Sequence, residues 1–172
     1  MTAYGLIEAG GTKFVLGIAD ADRTIRATHR IPTTTPDETI GAAADWFKAQ
    51  GDLLAAIGIG SFGPLQLDRT APNWGHITRT PKPHWANTDL VRPFAEAFGC
   101  PVAIETDVNA AALAEAKWGA GAGCSSLLYL TIGTGIGGGY VSGGRLLHGL
   151  SHPEMGHIRL PRHPDDMEFK GT

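Results

Sequence analysis

Asp107 lies where an apolar run at 101–105 gives way to Ala110-Ala111-Ala112-Leu113-Ala114-Glu115-Ala116, so the pattern predicts a carboxylate at a strand-to-helix junction. A carboxylate there can take a proton from a substrate hydroxyl, since open α/β sheets place their chemistry at the carboxyl ends of strands. Asp and Thr are also favoured helix caps, worth about 1 kcal/mol, and position alone leaves the two roles open. Two glycine turns, Gly10-Gly11-Thr12 and Gly133-Thr134-Gly135, each join two strand-like runs. Such turns offer backbone N–H groups and a hydroxyl to an anion, and two of them face to face would hold a polyphosphate; a pair of ordinary β-turns is the alternative. A further cluster, His152-Pro153-Glu154-Met155-Gly156-His157, sets a carboxylate between two imidazoles. The zinc deaminases' His-x-Glu needs a later Pro-Cys-x-x-Cys, and no cysteine follows Cys124. A closed zinc site wants four ligands, more than this segment offers alone.

Two segments match G-x-G-x-x-G: Gly58, Gly60, Gly63 and Gly133, Gly135, Gly138. A dinucleotide fingerprint requires a helix directly afterwards and an acidic residue about 20 positions on. Pro64-Leu65-Gln66-Leu67 follows the first match and Gly139-Tyr140-Val141 the second, so neither context fits. Gly10-Gly11-Thr12-Lys13 lacks the order of a Walker loop and runs into a strand rather than a helix.

The elements that must position these groups read as follows. Runs at 4–8, 14–19 and 25–31 are three short strands joined by tight turns, a meander. Thr35-Pro36-Asp37-Glu38 is a capping box with proline at the first helical position, and its helix runs to Gly51. The 53–59 run is apolar throughout, as in a buried strand, and 72–85 reads as an ordered surface excursion. Leu90, Phe94, Ala95 and Phe98 predict a helix whose start is set by where Pro93 can sit. A strand at 101–105, a helix closed by Gly119, a strand at 127–132 and a hairpin strand from Gly139 complete an order β-β-β-α-β-α-β-α with a second opening.

Composition narrows the function classes. The 172 residues are 42% hydrophobic and 18% charged, with no bilayer-length apolar run, which argues against disorder and a membrane span. Fourteen Lys and Arg against seventeen Asp and Glu give −3 without a dense basic run, so neither nucleic acid nor an anionic membrane is the expected partner. Glu8 interrupts what a signal peptide would keep apolar, and Cys100 and Cys124 make no disulfide framework, so the cytoplasm is the default. Half of the 24 glycines fall at 119–156, where they interrupt strand-like runs and signal a backbone that turns tightly or approaches a ligand closely.

Together, Glu8-Ala9-Gly10-Gly11-Thr12-Lys13, Glu105-Thr106-Asp107-Val108-Asn109, Gly133-Thr134-Gly135-Ile136-Gly137-Gly138-Gly139 and His152-Pro153-Glu154-Met155-Gly156-His157 resemble the ROK family of sugar kinases across essentially the whole chain. The resemblance implies an α/β, actin-like ATPase (ribonuclease H-like) domain at 1–122 and the start of a second, similar domain at 123–172. Ser61-Phe62-Gly63-Pro64, Thr80-Pro81-Lys82-Pro83 and Arg162-His163-Pro164-Asp165-Asp166 look like the bacterial fructokinases. Glu8 stands where many members have Asp, and Thr106 where glucose-type members have Asn, which agrees with that subgroup. His84 stands where Gly is expected.

The resemblance further implies ATP-dependent phosphorylation of a hexose, with fructose favoured. Asp107 would be the catalytic base, ionised readily at a helix N-terminus. Glu8, Gly10, Gly11, Thr12, Lys13, Thr134 and Gly135 would hold ATP and its Mg2+. Ser61, Gly63, Thr106, Asp107, Glu154 and His157 would contact the sugar, and His157 would be the first ligand of a structural Zn2+ whose remaining ligands are absent from this chain. The chain looks like the N-terminal portion of a kinase whose complete form would be a homodimer, so little activity and an incomplete zinc site are expected of the portion. Other readings are a kinase for glucose, mannose or another hexose, a non-catalytic sugar-binding remnant, and a sugar-responsive repressor, which would need a helix-turn-helix before the first strand.

Overall fold

The computed structural model describes residues 2–133, 135–149, 154–158, 161 and 165. Strands β1 (Ala3–Ala9), β2 (Lys13–Asp20) and β3 (Ile25–Pro32) form the expected antiparallel meander. Helix α1 (Pro36–Gln50) carries the Thr35/Glu38 capping box and closes at Gly51, whose φ of 74° is a left-handed conformation that glycine adopts without strain. Strand β4 (Leu54–Ser61) returns parallel to β1, and β5 (Val102–Thr106) lies parallel to β4, giving a sheet in the order β3-β2-β1-β4-β5. Between them, α2 (Arg92–Phe98) starts just ahead of Pro93, which therefore falls in the first turn and breaks no hydrogen bond. Helix α3 (Asp107–Trp118) leads to a second sheet of β6 (Ser126–Ile132), β7 (Ile136–Ser142) and β8 (Arg145–Leu146), antiparallel and in that order.

The core occupies one face of the five-stranded sheet. Ile7, Phe14, Leu16, Ile18, Ile57 and Ile59 are buried there under Phe47 of α1 and Phe94 of α2. Trp85 belongs to the same core: it is fully buried, packs on Phe14 and Phe62, and donates its indole N–H to the Thr34 carbonyl at 2.8 Å. The 72–85 segment is thus anchored into the core rather than laid over the surface, because an indole gains most when its body is buried and its one donor is satisfied.

Two strands differ from the sequence reading. Strand β4 is not buried on both faces: Leu54, Ile57, Ile59 and Ser61 are buried, whereas Ala55 and Gly58 are exposed. Its other side is kept small, and a Cβ at Gly60 would come within 3.1 Å of the Ala110 Cβ, so the glycine admits α3. Strand β7 begins at Ile136 rather than at Gly139, because its glycines pack on α3. A Cβ at Gly139 would stand 2.4 Å from the Val108 carbonyl oxygen, and one at Gly137 would stand 2.8 Å from the Val108 side chain. The close approach signalled by the glycines is therefore to a helix backbone. On the opposite face Met155 lies against Gly138, while along β6 Leu128 and Leu130 are each 53% and Ile132 78% exposed.

His84 has a φ of 72°, in the left-handed region that favours glycine. This accounts for the expectation of glycine at that position. His84→Gly should raise stability by about 0.5–1 kcal/mol, the relief of a ~1–2 kcal/mol backbone penalty less the extra unfolded-state entropy of glycine. Thermal unfolding of the two forms checks this, and a lower midpoint for the glycine form would show that the imidazole contributes contacts outweighing the strain.

Candidate active site

The sheet register brings the site together. Ala9 pairs with Ser61 and Ser61 with Thr106, so the carboxyl ends of β1, β4 and β5 lie side by side. The 10–12 turn follows the first of these ends, Gly63 lies just beyond the second, and Asp107 stands at the third. Asp107 and Glu8 share a cleft of about 770 Å³ that is also lined by Gly60, Val108, Tyr129 and Thr131.

Asp107 is the first residue of α3 and is not its cap. Thr106 is the cap, its buried hydroxyl accepting the Asn109 backbone N–H at 3.2 Å. The Asp107 carboxylate accepts the Val108 N–H at 2.8 Å and is otherwise open to the cleft. Its proton affinity also departs from the helix-dipole expectation. Desolvation by the surrounding protein, together with the negative charges of Glu8 and Glu154, raises its pKa above the ordinary 3.8, and the Val108 N–H only partly opposes this. A raised pKa makes Asp107 a stronger base than a free aspartate, which suits proton abstraction.

The 10–12 turn is braced from beneath. Gly10 donates its N–H to the Lys13 carbonyl at 3.0 Å, while Thr33 donates its hydroxyl to the Gly10 carbonyl at 2.7 Å and its backbone N–H to the Thr12 carbonyl at 3.0 Å. With these carbonyls engaged below, Gly11 and the exposed Thr12 and Lys13 remain at the surface, and a Cβ at Gly11 would meet nothing within 4 Å. Lys82 donates its ammonium to the Thr33 carbonyl at 3.1 Å, a contact the sequence did not signal. Of the second glycine turn, Gly133 donates to the Gly135 carbonyl at 2.9 Å, and Thr134 lies outside the described residues.

Glu154 and His157 bracket a single 3-10 turn (Met155–His157), where the His157 N–H donates to the Glu154 carbonyl at 2.9 Å. The negative charge of Glu154 reaches Asp107 and adds a small upward push to its pKa, although the two are far apart in the chain. His152, Pro153 and the 162–164 stretch lie outside the described residues. Two expected sugar contacts lie at the strand ends and have their hydroxyls engaged in local hydrogen bonds. Ser61 is fully buried and donates to the Phe62 carbonyl at 2.8 Å, and the Thr106 hydroxyl serves the cap. Among the described residues, no group of three or more His, Cys, Asp or Glu side chains is placed to hold a metal ion. Nor is any helix among them long and apolar enough to cross a membrane.

Comparison with known proteins bears directly on this arrangement. The sequence model described as "ROK family" matches residues 4–170. The fructokinase of Zymomonas mobilis is 58% identical over 172 residues, covering 98% of this chain and 57% of that protein. A ROK family glucokinase from Streptomyces griseus, solved in complex with glucose and AMPPNP, superposes with a TM-score of 0.77 at 32% identity over 93% of this chain and 51% of that one. A ROK hexokinase from Thermus thermophilus gives a TM-score of 0.77 at 37% identity, over 93% of this chain and 54% of that one. The chain thus spans a little over half the length of the relatives it matches.

Proposed function

The chain belongs to the ROK family and has its actin-like ATPase fold, and on that footing we propose that it carries the catalytic base and sugar-binding elements of a hexose kinase, with D-fructose the favoured substrate and ATP the phosphoryl donor. The observation that carries the reading is Asp107: a carboxylate freed from capping duty, made more basic by desolvation and then by the charges of Glu8 and Glu154, and set at one of the adjacent strand ends. Asp107 orients the sugar hydroxyl and accepts its proton as that oxygen bonds to the γ-phosphorus. The bond from the γ-phosphorus to the bridging oxygen breaks in line, and ADP leaves with the electron pair. The Gly10-Gly11-Thr12 turn, together with Thr134 and Gly135 of the second glycine turn, holds the phosphates through N–H and hydroxyl donors, and Lys13 adds positive charge at the turn. Gly63, Glu154 and His157 orient the sugar ring.

Mg2+ usually binds through one or two carboxylates together with substrate phosphates, a demand that Glu8 would meet without a preformed cage, leaving Asp107 as the base. It would neutralise charge on the transferred phosphoryl group. Zinc does not fit the described residues, because His157 is one ligand where a structural site needs four. The reading places the kinase in the cytoplasm and expects a homodimer at full length.

Fructose is favoured by the 58% identity to a fructokinase. Another hexose is favoured by the glucokinase and hexokinase likeness of the solved neighbours, at 32% and 37% identity. An ADP-coupled assay on this chain, and on a polypeptide of the relatives' full length, decides between them. Fructose should outcompete glucose for phosphorylation. A preference for glucose or an N-acetylated hexosamine would overturn the fructose assignment, and turnover of no hexose at full length would overturn the kinase reading.

A further inference from the structure

Glu105 stands one residue before the cap of α3, and its two carboxylate oxygens face in different directions. Oε1 accepts the Thr106 backbone N–H at 2.9 Å and the Asn109 side-chain amide at 3.1 Å, so it braces the corner that presents Asp107. Oε2 meets His148 Nε2 at 2.5 Å. His148 lies in the stretch that leaves β8. Asn109 is almost fully buried and leaves its own Oδ1 without a hydrogen-bond partner. A buried amide with an orphaned oxygen is costly to keep, so the donor half of that amide must matter to the corner, and the group it serves is Glu105. The pair closes one wall of a second cavity, of about 460 Å³, shared with Asp68, Arg69 and Trp74. The contact joins residues 43 apart in sequence and links the first sheet to the exit of the second.

We propose that Glu105 and His148 form a clasp that holds the corner presenting Asp107 against the chain leaving the second sheet, making both of them positioning residues for the sugar half of the site. The proposal rests on the kinase reading. A carboxylate–imidazole bond is strong and directional enough to fix two segments that share no backbone ladder. Because the 10–12 turn is braced separately by Thr33, loosening the clasp should disturb the sugar and spare ATP.

The test uses Glu105→Gln, His148→Gln and the double variant in a polypeptide of the relatives' full length. Each single change should lower kcat/KM for the hexose about tenfold while leaving the KM for ATP within about twofold, and the double should be no worse than the worse single. Effects that multiply in the double, or a parallel loss for ATP and hexose, would show ordinary structural damage and overturn the proposal. A second measurement does not depend on activity: Glu105→Gln should shift the His148 imidazole nitrogen resonances, identified by their disappearance in His148→Gln. Unmoved resonances would overturn the clasp. If the unsubstituted protein phosphorylates no hexose, the kinase reading fails, and these resonances still judge the contact.

Discussion

Asp107→Asn, in a polypeptide of the relatives' full length, is expected to lower kcat at least ~10²-fold while hexose binding survives. The amide keeps the shape of the carboxylate and can still meet the Val108 N–H, but it cannot take a proton. A capping role is no longer an alternative explanation for such a loss, since Thr106 caps α3. The pH dependence supplies an independent signature. Asp107 must be ionised to act, and its pKa is raised from 3.8 by desolvation and by Glu8 and Glu154. The rate should therefore fall as pH drops through that raised value, at a higher pH than for an unperturbed aspartate, and the asparagine form should lose this limb.

Linkage gives the sign for stability. A carboxyl whose folded pKa is raised stabilises the fold when protonated, below the unfolded pKa, and that contribution is lost as pH rises through the folded value. At neutral pH the asparagine form should then be at least as stable as the parent. Near-normal turnover, or inactivity accompanied by unfolding, would remove Asp107 from the role of base.

The second large effect is expected at Gly139. Gly139→Ala places a Cβ 2.4 Å from the Val108 carbonyl oxygen and 2.8 Å from its carbonyl carbon, and a helix backbone cannot move aside as a side-chain end would. Denaturant unfolding should show a loss of about 3 kcal/mol, at the upper end of ordinary overpacking. Gly133→Ala is the internal control from the same glycine run, because its Cβ would meet nothing within 4 Å. It should cost less than ~1 kcal/mol. Equal stability for the two variants would mean that β7 does not need glycine to lie on α3.

The contrast between these two glycines shows where sequence reading ends. The run of glycines between strand-like residues marks a backbone that something approaches closely, but it does not say which glycines turn the chain and which admit a neighbour. In the same way, Thr and Asp at adjacent positions are both good caps, and only the Thr106 hydroxyl's bond to the Asn109 N–H separates the cap from the free carboxylate. The position of Asp107 at the head of a helix suggests a lowered pKa. The opposite direction follows first from desolvation by the packed protein and then from Glu8 on β1 and Glu154 beyond β8, none of which a local pattern announces.

By itself the sequence determined the meander, the capped first helix, the order of strands and helices and the place of Asp107 at a strand-to-helix junction. These depend on interactions within a few residues: side-chain period, turn chemistry and the Thr35/Glu38 box. Tertiary structure alone decided that Trp85 is core, that Gly137 and Gly139 face α3, that the Ser61 and Thr106 hydroxyls are committed to local hydrogen bonds, and that Glu105 meets His148 across 43 residues. The reason is physical. Steric and hydrogen-bond preferences of neighbouring residues are written consecutively along the chain, whereas distance, burial and charge between distant residues exist only once the sheets have packed against α3.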